Sequence, residues 1–248
     1  MIGNTRKNFT YRYYCEFIRL LRETYTFITF QEGKKISGGR STGLVILRHD
    51  VDMDLEAAVR LSSLEKECGV YSTYFFMVRS PLYNVFSGSG SEQAKRILAD
   101  GQHFGLHFDC ALYQDITSDN ISHYVSKECL LLEQFFGRPV EAVSFHRPGK
   151  LEMSGVPLDG WPHTYERVFL EGFEYFSDSK AKWIKGNPLE SEAFLGRKNL
   201  HILVHPVWWN TLPKNGRECL TGLIQQIYER NRQYISANCE VWNKNESK

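Results

Sequence analysis

The sequence predicts an α/β fold, a single domain built as a barrel of about seven parallel strands. Three observations lead there. Short apolar runs alternate along the chain with segments of helical periodicity, the pattern of successive strand-helix units around a parallel sheet. Five of these runs end on acidic, histidine or serine residues, and in a parallel barrel all strand C-termini share one rim. The rival open, doubly wound sheet would want a glycine-rich phosphate-binding turn after its first strand, and none follows here.

Residues 11–24 predict an N-terminal helix with Tyr14, Phe17, Ile18 and Leu21 on one side, and FITF after it a short strand. KKISGGRSTG is a Gly/Ser-rich loop. A strand over Leu44–His49 leads into a helix from about Asp54 to Cys68, closed by Gly69. YSTYFFMV is a strand, RSPLYNVFSGSGS a loop, and SEQAKRILAD a short helix stopped by Gly101. FGLHF is a strand, and 118–136 a helix ended by Gly137 and Pro139. VEAVSFH is the next strand. The stretch 147–164 is long and rich in Pro and Gly, which marks a binding loop. Strands FEYFS and LHILVH follow. A C-terminal helix over about 217–235 closes the chain, with Leu220, Leu223, Ile224, Ile227 and Tyr234 as its buried face. Both terminal helices are expected to pack on the barrel.

A 42% hydrophobic content over 248 residues supports a sizeable core. The net charge of +1, with basic residues scattered, gives no reason to expect a nucleic-acid partner. No stretch reaches the length of a membrane span, and the N-terminus lacks a secretory apolar region. The six cysteines form no CxxC pair and read as free thiols of a reducing compartment, so a cytoplasmic location is expected.

The chemistry-bearing residues lie at the run ends. In an extended chain, residues i and i+2 share a face, so Asp50 and Asp52 point to one place. Asp52 or Asp54 could instead cap the following helix. Two adjacent carboxylates need a neutralising cation or proton. A metal bound by one, with the other as base, resolves that conflict. His107 and Asp109 repeat the spacing on another strand; Asp109 could ligate, orient a histidine or cap a turn. His146 and Arg147 precede Pro148, where strand pairing ends, and an arginine there can fix a carboxylate. Asp178 ends FEYFS. His205 follows HILV and precedes Trp208 and Trp209, aromatic faces suited to stacking on a sugar ring, one of the two being core. Tyr83 and Phe86, on another rim loop, join the long 147–164 segment in shaping a substrate site.

Together, RHDVD, YFF, GLHFD, SFHRP, SDS and LVHPVWW resemble the polysaccharide deacetylase (NodB-homology) family, over roughly Leu44 to Trp209. The match is to a branch without a secretion signal, associated with bacterial surface-polysaccharide and O-antigen biosynthesis. The resemblance implies a distorted (β/α) barrel and a divalent metal, usually zinc, that serves to hydrolyse an acetyl group on a sugar. It assigns Asp50 as base, His205 as catalytic histidine and Asp178 as its acidic neighbour. Arg147 matches the family's Arg-x-Pro motif loosely. Val51 stands where the family's metal-binding aspartate would be, which passes that role to Asp52. His107 matches the first metal histidine, but Ala111 replaces the second, leaving His146 or Asp109 as third ligand. The implied function is removal of acetyl from an acetylated sugar or glycan precursor. The rivals are a non-catalytic sugar-binding protein on the same fold and a metal-dependent hydrolase of a non-sugar amide. The sugar, its carrier and the oligomeric state stay open.

Overall fold

The computed structural model describes residues 9–36, 42–149 and 151–243. Residues 37–41, half of the predicted Gly/Ser loop, lie outside them.

In chain order, helix α1 (Tyr11–Thr24) is capped by Thr10 and buries Tyr14, Phe17, Ile18 and Leu21. Strand β1 is Thr26–Phe27. Helix α2 (Phe30–Lys35) follows, where the sequence reading had the end of a strand. A reciprocal capping box between Thr29 and Glu32 sets its start. Strand β2 (Leu44–Val51) runs into helix α3 (Leu55–Cys68), whose first turn is held by the Asp54 carboxylate accepting from Ala57 N–H at 3.0 Å. Gly69, at φ +64°, ends α3 in the left-handed conformation that glycine adopts without strain. Next come β3 (Thr73–Phe76), α4 (Gly88–Ala99), β4 (His103–Asp109), α5 (Ile121–Phe136) and β5 (Ala142–His146). Short helix α6 (Arg167–Glu171), β6 (Glu174–Ser177), α7 (Glu192–Leu195), β7 (Leu200–Val204), α8 (Gly216–Asn238) and α9 (Glu240–Asn243) complete the chain.

All strand pairs are parallel, in the order β5-β4-β3-β2-β7-β6. β1 takes the first residues of the β2 edge that β3 takes further on. Among the described residues β5 and β6 do not pair. The stretch 162–164 lies along β5 instead, with Thr164 N–H donating to Val143 O at 3.0 Å. The result is a distorted, incompletely closed (β/α) barrel, as the sequence predicts.

Register decides what the interior holds. Paired residues of parallel strands point the same way, so Arg48 and Asp50 of β2, Phe75 of β3, His107 of β4, Ser144 and His146 of β5, Ser177 of β6 and His201 of β7 face inward. Phe30, Ile46, Phe75, Ala142, Phe169 and Phe173 form an apolar floor. Gly105 is required here, because a Cβ at that position would run into the Phe75 ring. Polar residues occupy the layers above, toward the strand C-termini.

Helix α8 departs from the expected burial. Cys219 and Leu223 are buried, but Ile224 is 67% exposed and Tyr234 71% exposed. Leu220 and Ile227 are half-buried, so the body covers only part of the predicted apolar face. Among the described residues no helix is long and apolar enough to cross a membrane.

Candidate active site

The site begins where β2 ends. Asp50 is the last inward residue of the strand, and the chain turns at Asp52 before the Asp54 cap starts α3. The capping role therefore falls to Asp54, and Asp52 is left free to face the rim. Its Oδ1 is buried and has no hydrogen-bond partner. It lies 2.9 Å from His107 Nε2 and 3.5 Å from His146 Nδ1, and those two nitrogens are 3.3 Å apart. Ligands at the usual 2.0–2.1 Å from a tetrahedral zinc sit about 3.3 Å from one another. The triangle of one carboxylate oxygen and two imidazole nitrogens fits such an ion, and carboxylate with imidazole suits zinc-like metals. This is the one cluster of its kind among the described residues. Asp109 does not join it: Arg147 grips both of its oxygens, with Nε–Oδ1 at 3.0 Å.

A hydrogen-bond chain sets the tautomer of His107. Ser144 Oγ donates to Asp50 Oδ1 at 3.1 Å, so it accepts from His107 Nδ1–H. His107 Nε2 then presents a lone pair to the cluster, the orientation that a supporting hydrogen bond gives a metal histidine. Burial alone would lower the His107 pKa, but the Asp50 and Asp52 carboxylates outweigh it and the pKa is raised. Burial would raise Asp52; His107, His205 and His146 hold it down to about 2. His146 is lowered, chiefly by burial.

Across the rim, His205 donates through Nδ1–H to Asp178 Oδ1 at 2.6 Å, and its backbone N–H donates to the same carboxylate at 2.9 Å. Trp209 Nε1–H adds a third donor at 2.9 Å. Asp178 is fully buried, and these bonds fix it. His205 Nε2 faces the cluster, 3.9 Å from Asp52 Oδ2. Burial opposes charging His205, but the Asp178 hydrogen bond and charge, then Asp52 and Asp50, push its pKa up to about 9. The site thus brings together a triangle of donors of a size to suit a metal ion, a carboxylate beside it and, opposite, an imidazole whose Nδ1 is held by Asp178.

Some expected residues serve otherwise. Trp209 is 1% exposed, packs against Tyr14 and Phe9, and offers no open face for a sugar. Trp208 is the half-buried indole of the pair. Tyr83 is buried: its hydroxyl donates to Val51 O at 2.6 Å and accepts from Met77 N–H at 2.8 Å, so it braces the end of β2 from beneath. Phe86 packs edge-on against Phe135 of α5. Arg147 takes a left-handed backbone, φ +50°, unusual for a residue with a Cβ and a form of strain found at functional sites. The long segment after it is tied to the loop before α5, where Ser118 Oγ donates to Glu152 O at 3.4 Å. Two neighbours went unnoticed in the sequence, Ser144 and Arg48. The i, i+2 rule that paired Asp50 with Asp52 also places Arg48 beside Asp50 and Ser144 beside His146.

No family profile and no curated protein matches the chain. Solved structures do. A CE4 family pseudoenzyme from Bacillus anthracis is 18% identical, with a TM-score of 0.46 over 77% of this chain. The chain spans 63% of that protein, less than two thirds of its length. A chitin deacetylase from the fungal pathogen Colletotrichum lindemuthianum is 17% identical, TM-score 0.47, over 75% of this chain and 83% of that one. A family 4 acetyl xylan esterase from Clostridium thermocellum, in complex with a cobalt ion, is 14% identical, TM-score 0.38, over 75% and 84%.

Proposed function

We propose that the chain is a metal-dependent hydrolase that removes an acetyl group from an acetylated sugar, in cytoplasmic synthesis of a surface-polysaccharide precursor. The observation that carries this reading is the convergence of Asp52 Oδ1, His107 Nε2 and His146 Nδ1, with Asp50 on one flank and the His205–Asp178 pair on the other. His146 supplies the donor that the sequence lacks at Ala111. That weighs against reading the chain as a non-catalytic sugar-binding protein.

Asp52, His107 and His146 would hold the ion, zinc by the chemistry of the donor set. An ion held there would supply Lewis-acid polarisation of the acetyl carbonyl and a more acidic water. Asp50 takes the proton from that water. His205, protonated through its bond to Asp178, donates from Nε2 to the leaving amine or alkoxide. Ser144 orients both Asp50 and His107. Arg147, next to His146, stands beside the donor cluster and, of the residues expected around the substrate, is the one nearest to where the sugar would lie. Metal analysis of protein purified without chelator, run beside an acetate-release assay on acetylated sugars, tests the proposal. Bound zinc with acetate release is expected; metal-free, inactive protein after zinc addition overturns it.

A further inference from the structure

We propose that a groove in the helical layer outside the sheet, between α3, α4 and the start of α8, is a second binding site, for a molecule that carries a phosphate or diphosphate group. The groove has a volume of about 430 Å³, a size that suits a small organic ligand. It is separate from the metal triangle: none of Asp50, Asp52, His107, His146 and His205 lines it. Trp209 links the two, since its indole lines the groove and its Nε1–H donates to Asp178 at 2.9 Å.

The walls bring together three cations from three segments: Arg60 of α3, Arg96 of α4 and Lys214 ahead of α8. Neither guanidinium has a hydrogen-bond or ion-pair partner among the described residues; Arg60 lies over the Tyr11 ring, with Cζ 5.7 Å from the centroid. Lys214 Nζ donates to Asn210 Oδ1 at 3.1 Å, a bond that leaves its charge unbalanced. Two carboxylates border the same groove. Asp54 is committed to Ala57 N–H as the cap of α3. Glu56 stands one helical turn before Arg60 but forms no ion pair with it. One carboxylate is thus left to oppose three cations. Like charges gathered on a concave surface repel one another and draw anions to it. The guanidinium fork matches phosphate oxygens, and an ammonium adds a point charge for the same group. Beside these donors the half-buried Tyr11 ring and the buried Val207 and Leu223 offer an apolar surface for the rest of the ligand.

The test is calorimetric titration of the full chain with sodium pyrophosphate and with uridine diphosphate, at low and at physiological salt. Binding is expected, and it should weaken as salt rises. Arg60→Gln and Arg96→Gln should each lower the affinity about tenfold, the worth of a hydrogen bond to a charged group. Both side chains are exposed and glutamine suits a helix, so both variants should fold. Two controls locate the site. His107→Ala, in the metal triangle, should bind both probes as the wild type does, which separates the groove from a phosphate held by a metal ion. Arg19→Gln, an exposed arginine of α1 outside the groove, should also bind as the wild type does, which separates it from a loss of net charge. Tighter binding of uridine diphosphate than of pyrophosphate assigns the site to a nucleotide; equal or weaker binding assigns it to the diphosphate group alone. No heat from either probe at millimolar concentration overturns the proposal. So does binding that survives the loss of Arg60 and Arg96 together, that vanishes in His107→Ala, or that falls as far in Arg19→Gln as in the groove variants.

Discussion

His205 and Asp178 share two hydrogen bonds, one from the imidazole Nδ1–H and one from the backbone N–H of the same histidine. The double contact fixes both the tautomer and the direction of the ring. It leaves Nε2 as the atom that faces the Asp52 carboxylate. The first prediction is that His205→Ala keeps its zinc and loses kcat by about a hundred- to ten-thousand-fold, the usual worth of a general acid. The loss should be smaller on an ester than on an amide, because an alkoxide leaves more easily than an amide nitrogen. Loss of zinc from His205→Ala would make it a ligand instead.

A second prediction concerns pH. The pKa of His205 is raised above its ordinary value, so its charged form and the stability that it adds are fully present below about 6.5. Both are lost as pH rises through about 9. The kcat of the zinc-loaded enzyme should therefore fall on the alkaline side, and Asp178→Asn should move that fall to lower pH. A pH–kcat profile of the two proteins checks this; coincident alkaline limbs would separate Asp178 from the acid.

A third prediction follows from the metal triangle. Ligands must shed protons before they bind, and the carboxylates around His107 raise its pKa. Zinc affinity should drop as pH falls through the imidazole range, and His107→Ala should lose zinc by orders of magnitude at neutral pH. Isothermal titration at two pH values reads both effects. Full zinc binding by His107→Ala would remove it from the ligand set.

A fourth prediction separates the two adjacent tryptophans. Trp209 is buried against Phe9 and Tyr14 and donates to Asp178, so Trp209→Ala should cost about 3–5 kcal/mol of stability as a large core truncation. Trp208, half-buried against the same core, should lose less stability on change to Ala than Trp209 does, and Trp208→Ala should raise KM. Chemical denaturation with steady-state kinetics distinguishes the two; equal stability losses would place both indoles in the core.

Much of the fold is legible because short apolar runs ended by polar residues have few alternatives to parallel strands. β2, β4, β5 and β7 each follow such a run, and Gly69 and Gly137 mark the helix ends by their left-handed backbone. α2 carried a readable sign, the Thr29–Glu32 capping box, hidden by the β-like look of FITF. The exposed Ile224 and Tyr234 show where periodicity stops informing: it gives a face, not what covers it. In the site, parity put Asp50 and Asp52 together. The choice between His146 and Asp109 depended on Arg147 closing on Asp109, a contact across strands that spacing does not encode. Arg48 and Ser144 share that parity, but an arginine or a serine in a strand carries no spacing signature that marks it for a site.

The most direct measurement is a crystal structure of the zinc-loaded protein with the ion located by anomalous scattering. The account predicts one zinc held by Asp52, His107 and His146 at about 2.0–2.2 Å, Asp50 beside it and uncoordinated, and His205 bonded to Asp178. Zinc coordinated by His205 or Asp109, or bound elsewhere with the Asp52 cluster empty, would contradict it.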